Sequence, residues 1–193
     1  MTDPKPENDS TSDTRGPKPE PQDFARAPER DLFALLIRLG LPYSNVVHAP
    51  THTVEDSRLV KTDIAGGHTK NLFMKDKRGS LVLISAWADS GLPLNQLHKA
   101  IGTQRLSFTN ADLLWEALGA TPGSVTAFAL MNDAERRVRF VVDAALMKFD
   151  TLNFHPLRND MTVSIAREDF LRFLEAVGHD AEEIDFAQLG RAD

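Results

Sequence analysis

The sequence predicts an α+β domain, a compact mixed or largely antiparallel sheet wrapped by helices. Three observations predict it. Leucines and other apolar residues recur at helical spacing in several segments, short runs rich in Val, Ile, Leu and Phe stand between those segments, and some of these runs are joined by turn residues alone. The 193 residues suffice for one domain with a real core and are too few for two ordinary domains and a tail.

Taken in order, the first 28 residues hold six of the eleven prolines and one aromatic, Phe24. Such a stretch cannot bury enough surface to offset its ordering entropy, so residues 1–27 read as a disordered extension. The domain itself is expected over residues 28–186, with residues 187–193 as a flexible end. In "PERDLFALLIRLGLP", Leu32, Leu35, Leu36 and Leu39 share a helical face, Gly40 supplies a stop and Pro42 prevents continuation. "YSNVVHAP" reads as a short strand, and "THTVEDSRLVKTDIAGG" as a capped helix ending in glycines. "KNLFMKD" and "SLVLISAWA" flank Lys77, Arg78 and Gly79 and predict a β-hairpin. "LPLNQLHKAIG" and "TNADLLWEALG" predict two helices, each closed by glycine. "SVTAFALMND" and "RRVRFVVDAAL" predict a second hairpin around Asn132 and Asp133, "MTVSIA" a further strand, and "REDFLRFLEAVG" the last helix.

Cysteine is absent and no charged segment followed by an apolar one opens the chain, so a disulfide scaffold and a secretory leader are both unexpected. No apolar stretch approaches the roughly 20 residues that cross a bilayer. A soluble, cytoplasmic protein without a membrane partner is expected. The net charge of −6 argues against a generic nucleic-acid coat, although a local basic face remains compatible with it.

The phosphate-binding loop, the dinucleotide fingerprint and the G-x-S-x-G elbow are all missing, which disfavours nucleotide-driven and serine-hydrolase chemistry. His48 and His52 are four apart, but Pro50 breaks any helix that would align them, and no metal or cofactor is expected. His48 reads instead as a pocket or locally satisfied histidine.

Lys70 opens an apolar run after Gly66 and Gly67, within the donor-rich cluster His68, Thr69, Lys70 and Asn71. Strand alternation sends Lys70, Leu72 and Met74 to one face and Asn71, Phe73 and Lys75 to the other. A lysine there could snorkel to water, but the glycines also permit close approach of a ligand. "LNFHPLRND" supplies a second polar cluster, Asn153 and His155, read as a loop. "TPGSVTAFAL" supplies a Pro-Gly turn leading into a strand and exposing backbone N–H groups.

Together, "GGHTKNLF", "PGSVTAFALMND", "VVDAAL" and "LNFHPLRND" resemble the free-standing trans-editing aminoacyl-tRNA deacylases related to the YbaK proteins and the insertion domain of prolyl-tRNA synthetase. The branch most resembled is PrdX, or ProXp-ala, which removes alanine mischarged onto proline tRNA. The resemblance runs from about residue 29 to residue 184. It implies that Lys70 is the family's essential lysine, with Asn71 beside it, and that His155 is the family's histidine. The family's G-x-x-x-P loop falls on Gly123, Ser124, Val125, Thr126 and Ala127, where alanine replaces the proline.

An aminoacyl ester is already activated, so its hydrolysis needs mainly positioning and stabilisation of the oxyanion. On the resemblance, Lys70 supplies the charge, Asn71, Asn153 and His155 hold the ester or terminal nucleotide, and Gly123 and Ser124 provide backbone donors. Water or the neighbouring ribose hydroxyl would be the nucleophile. A pocket walled by Val46, His48, Phe128 and Phe154 would admit alanine and refuse proline. Lys75 and Arg105 are the expected contacts to the acceptor stem, and tRNA(Pro) carrying alanine the expected partner, with prolyl-tRNA synthetase or an elongation factor as further contacts. Two other readings stay open: a sister deacylase for seryl, threonyl or cysteinyl esters, and a noncatalytic nucleic-acid-binding module of the same fold.

Overall fold

The computed structural model describes residues 27–50 and 64–189. Helix α1 (Ala27–Arg38) buries Leu32 and Leu36 and ends where Gly40 turns left-handed at φ 61°. Strand β1 (Tyr43–Val47) follows, as its sequence predicts. The helix expected in "THTVEDSRLVKTDIAGG" falls for the most part on residues 51–63, outside the described residues, and Gly67 at its close already belongs to β2 (Gly67–Lys75). Strand β3 (Leu81–Trp87) pairs antiparallel with β2. The turn between them is held by the Asp76 carboxylate, which accepts from the N–H groups of Arg78 and Ser80, and by Gly79 at φ 87°.

Helix α2 (Leu97–Ile101) is only five residues long, and Gly102 closes it. After β4 (Ser107–Phe108), helix α3 (Ala111–Leu118) starts on an Asn110 side chain that accepts from the Leu113 N–H at 2.9 Å and stops at Gly119. That cap and that stop are the signals its sequence carries.

The second expected hairpin does not form. Ala127–Asn132 is a 3-10 helix, capped by the Thr126 hydroxyl, and the strand β5 (Val138–Asp143) pairs in parallel with β3. Ala127, Phe128, Ala129 and Leu130 are all buried, so this run has no solvent face for strand alternation to display, and Phe128 turns into an aromatic cluster with Phe154, Phe170 and Phe173. "LNFHPLRND" is likewise not all loop. Its first part belongs to β6 (Thr151–Phe154), which pairs antiparallel with β7 (Met161–Ala166). Helix α4 (Arg167–Ala176) buries Phe170, Phe173 and Leu174, and β8 (Glu182–Ile184) is the last strand, followed by a 3-10 turn at Phe186–Gln188.

The eight strands form one mixed sheet in the order β1-β7-β6-β2-β3-β5-β8, with β4 added to β2. One face carries the main core, where α1, α3, α4 and the 3-10 helix cover Phe73, Leu83, Val142, Leu152 and Val163. A smaller cluster on the other face packs Leu97, Ile101, Leu106 and Phe186 against Met74, Val82, Ile84 and Val141.

Strand β2 joins two halves of this sheet. Only its Gly67 and His68 pair with β6, and only its Met74 and Lys75 pair with β4. Between them, among the described residues, the sheet is split beside Lys70, Asn71 and Leu72, which have β3 on one side and no strand on the other.

Candidate active site

Lys70 is half-buried in β2 on the face it shares with Leu72 and Met74, at the split. Its ammonium donates to the Ala88 carbonyl at 3.2 Å and to the Ser90 carbonyl. Those acceptors sit in a turn that Asp143 fixes: its carboxylate accepts from Ser90 Oγ at 2.6 Å, from the Trp87 N–H at 3.2 Å and from the Ala145 N–H at 3.0 Å. The Ala88 N–H in turn donates to the His68 carbonyl. Burial would penalise a lone carboxylate, but three donors satisfy Asp143 and make it the anchor of the clasp around Lys70.

Three histidines and an amide share the Lys70 face. His68 pairs with Asn153 across β2 and β6, so their side chains lie on the same side of the sheet. Asn153 is almost wholly buried, and both ends of its amide are bonded: Oδ1 accepts from Ser164 Oγ at 2.6 Å and Nδ2 donates to the Ala65 carbonyl at 3.1 Å. It is a bridge between strands, which explains how an asparagine sits inside β6.

His155 follows directly. Its Nδ1 lies 2.9 Å from the Met161 carbonyl, which can only accept, so the proton is on Nδ1 and Nε2 presents a lone pair. Burial pushes its pKa below the usual histidine value, and the nearby His48 and His68 push the same way, outweighing the bond to Met161. The imidazole is therefore held neutral. His48 lies beside it, ring centroids 6.2 Å apart, with Nδ1 2.8 Å from the Ala49 carbonyl and Nε2 3.0 Å from Thr162 Oγ1. Val46, exposed on β1, pairs with Thr162 and stands next to this group.

Other predicted residues lie elsewhere. Asn71 points to the opposite face from Lys70, where Ser85 Oγ donates to its Oδ1 at 2.5 Å. Phe128 and Phe154 present no surface to a pocket. Their rings are in the aromatic core, 5.3 Å apart, because β6 alternation turns Phe154 away from Asn153. Gly123 takes φ 88° in a turn whose closing bond uses the Ser124 N–H, donated to the Thr121 carbonyl. Lys75 is at the far end of β2, and Arg105 is exposed just before β4. Among the described residues, no three His, Asp or Glu side chains are placed to hold a metal ion.

Ser90, Asp143, Thr162 and Ser164 were not foreseen. Asp143, Thr162 and Ser164 reach the site by strand pairing across distant sequence and Ser90 by its bond to Asp143, and the only local hint is the aspartate in "VVDAAL".

The sequence profile of the aminoacyl-tRNA editing domain matches residues 48–173, a span that holds Lys70, Asn153 and His155. The chain belongs to the aminoacyl-tRNA editing domain family. This editing domain is 34% identical over 152 residues to the prolyl-tRNA synthetase associated domain-containing protein 1 of Danio rerio, covering 78% of this chain and 83% of that one. It is 30% identical over 155 residues to the prolyl-tRNA editing protein ProX of Acetoanaerobium sticklandii, covering 80% and 94%. A crystal structure described as a candidate trans-editing enzyme for prolyl-tRNA synthetase superposes on the editing domain with a TM-score of 0.60 at 15% identity, covering 82% of this chain and 96% of that one. That likeness shows a shared fold.

Proposed function

We propose that this editing domain hydrolyses the ester of alanine mischarged onto tRNA(Pro). The observation that carries the reading is the placement, on one face beside the sheet split, of a clasped lysine ammonium and of a neutral imidazole whose Nδ1 is tied to the Met161 carbonyl.

Water attacks the ester carbonyl; attack by the neighbouring ribose hydroxyl would only move the alanyl group from one ribose oxygen to the other, so water is the group that releases the amino acid. The charge that collects on the carbonyl oxygen is stabilised by the field of Lys70, which needs no reorganisation because the Ala88 and Ser90 carbonyls already fix the ammonium. His155 Nε2 accepts a hydrogen bond from a ribose hydroxyl and so orients the terminal adenosine. Collapse of the tetrahedral intermediate breaks the bond to the ribose oxygen, which leaves with the proton given up by the attacking water. Free alanine and intact tRNA result.

Selection rests on size. A synthetase distinguishes side chains that differ by about a methylene by only about 1–3 kcal/mol, so a second, hydrolytic pocket is required. Val46, His48 and Thr162 form the wall on which alanine fits and proline is excluded. Lys75 and Arg105 serve as acceptor-stem contacts, and the likeness to ProX supports the proline tRNA as the carrier.

The test is deacylation of alanyl-tRNA(Pro) by wild type and Lys70→Ala, with prolyl-tRNA(Pro) as control. Wild type is expected to release alanine and spare proline. The variant is expected to lose about 10²- to 10³-fold in rate, the scale of one oxyanion-stabilising group. An alanyl ester left intact by wild type would overturn the reading, and seryl, threonyl and cysteinyl esters would then be screened.

A further inference from the structure

The split beside β2 has two lips. Asn153 and His155 lie on the β6 side, and the two-residue strand β4 forms the other. Phe108 ends β4, and 58% of its surface is exposed. It pairs with Met74, so its ring is on the same face of the sheet as Lys70. A lone exposed phenylalanine is ordinary. Its setting here is not.

The backbone that displays this ring is pinned on both sides. Leu106 is buried in the smaller core, the Thr109 N–H and Oγ1 both donate to the Phe73 carbonyl, and Asn110 caps α3. The ring is thus held outward by rigid structure. Cations stand at the same end of β2: Lys77 and Arg78 occupy its exposed turn and Arg105 lies three residues before Phe108, whereas Lys75, paired with Ser107, points to the other face. An exposed aromatic face at a cationic end of the sheet suits a polyanion that carries π-faces, which is single-stranded nucleic acid.

Spacing agrees. Lys70 and Met74 are four residues apart on β2, or about 13 Å at roughly 3.3 Å per residue. Stacked nucleotides advance about 3.4 Å each, so a strand whose terminal ester sits at Lys70 reaches Phe108 within about four nucleotides. We propose that Phe108 is a stacking platform for an unpaired base near the 3′ end of the RNA, across the sheet split from Lys70. The inference rests on the function proposed above and adds a binding residue to it.

The experiment measures binding of the full chain to two RNA hairpins of acceptor-stem sequence, one with a four-nucleotide single-stranded 3′ end and one blunt, for wild type, Phe108→Ala, Phe108→Trp and Ile37→Ala. Ile37, at 69% exposure, is another exposed apolar residue, on α1, and reports the effect of removing surface area alone. Phe108→Ala is expected to weaken binding of the tailed hairpin roughly 5- to 150-fold, the range for one stacked base. Phe108→Trp should restore it, and the blunt hairpin should not respond to either change. Equal affinity of wild type and Phe108→Ala for the tailed hairpin, in a protein that still deacylates alanyl-tRNA(Pro), would overturn the platform and leave the function standing. No RNA binding and no deacylation by wild type would overturn both.

Discussion

Lys70 owes its position to residues far from it in sequence. Asp143, at the end of β5, holds the Trp87–Ser90 turn, and that turn holds the ammonium. Asp143→Ala is therefore expected to lower deacylation although Lys70 is untouched, and to cost about 1–3 kcal/mol in thermal unfolding by stranding the Ser90 and Trp87 donors. His155 gives a sharper test, by NMR titration. Its pKa lies below the usual value, so the unfolded chain takes up that proton first as pH falls. The stability tied to neutral His155 is complete above about pH 6.5 and is lost on acidification toward the folded-state pKa. Since the charge on His48 contributes to the lowering, His48→Gln should move the His155 titration upward, toward 6.5. A shift downward or none would show that the two rings do not interact electrostatically.

At the level of elements, most of the fold was legible where a local signal decides it. Asn110 and Gly119 bracket α3, Asp76 and Gly79 make the β2–β3 turn, and Leu32 and Leu36 mark the buried side of α1. Illegible were the elements whose form is set by distant partners. "AFAL" reads as a strand in isolation, yet it is buried on all sides by aromatic rings that arrive from β6 and α4, and it curls into a 3-10 helix. Asn153 reads as a loop residue until Ser164 and the Ala65 carbonyl supply partners for its amide inside the sheet. The same lesson applies to the candidate site, where the motifs point to Lys70 and His155, whereas the groups that seat them need the strand pairings. Gly67→Ala tests the packing of β2 on the core. Its new Cβ would lie 2.7 Å from the Phe149 ring, and the expected cost is about 1–3 kcal/mol, read as a lower midpoint in urea unfolding.

For the whole molecule, the net charge of −6 says little about the surface that would meet RNA. Lys75, Lys77, Arg78 and Arg105 gather at one end of β2. If that end meets phosphates, KM for alanyl-tRNA(Pro) should rise with salt, and neutralising Lys75 and Arg105 together should flatten the log–log dependence by up to about two contacts. A dependence unchanged in the double variant would move the contact elsewhere.

The two faces of the sheet also divide the chain's capacity for change. Behind β6 and β7, Phe154, Phe170 and Val163 form packed interior where altered volume carries a folding cost. In front, Val46 and Thr162 meet at the edge strand β1, whose residues from Ser44 to Val47 are exposed. On the proposed wall of Val46, His48 and Thr162, a lineage could alter which amino acid is released by substitution along β1 while inheriting its scaffold unaltered, so that substrate choice and foldability would evolve as separable traits.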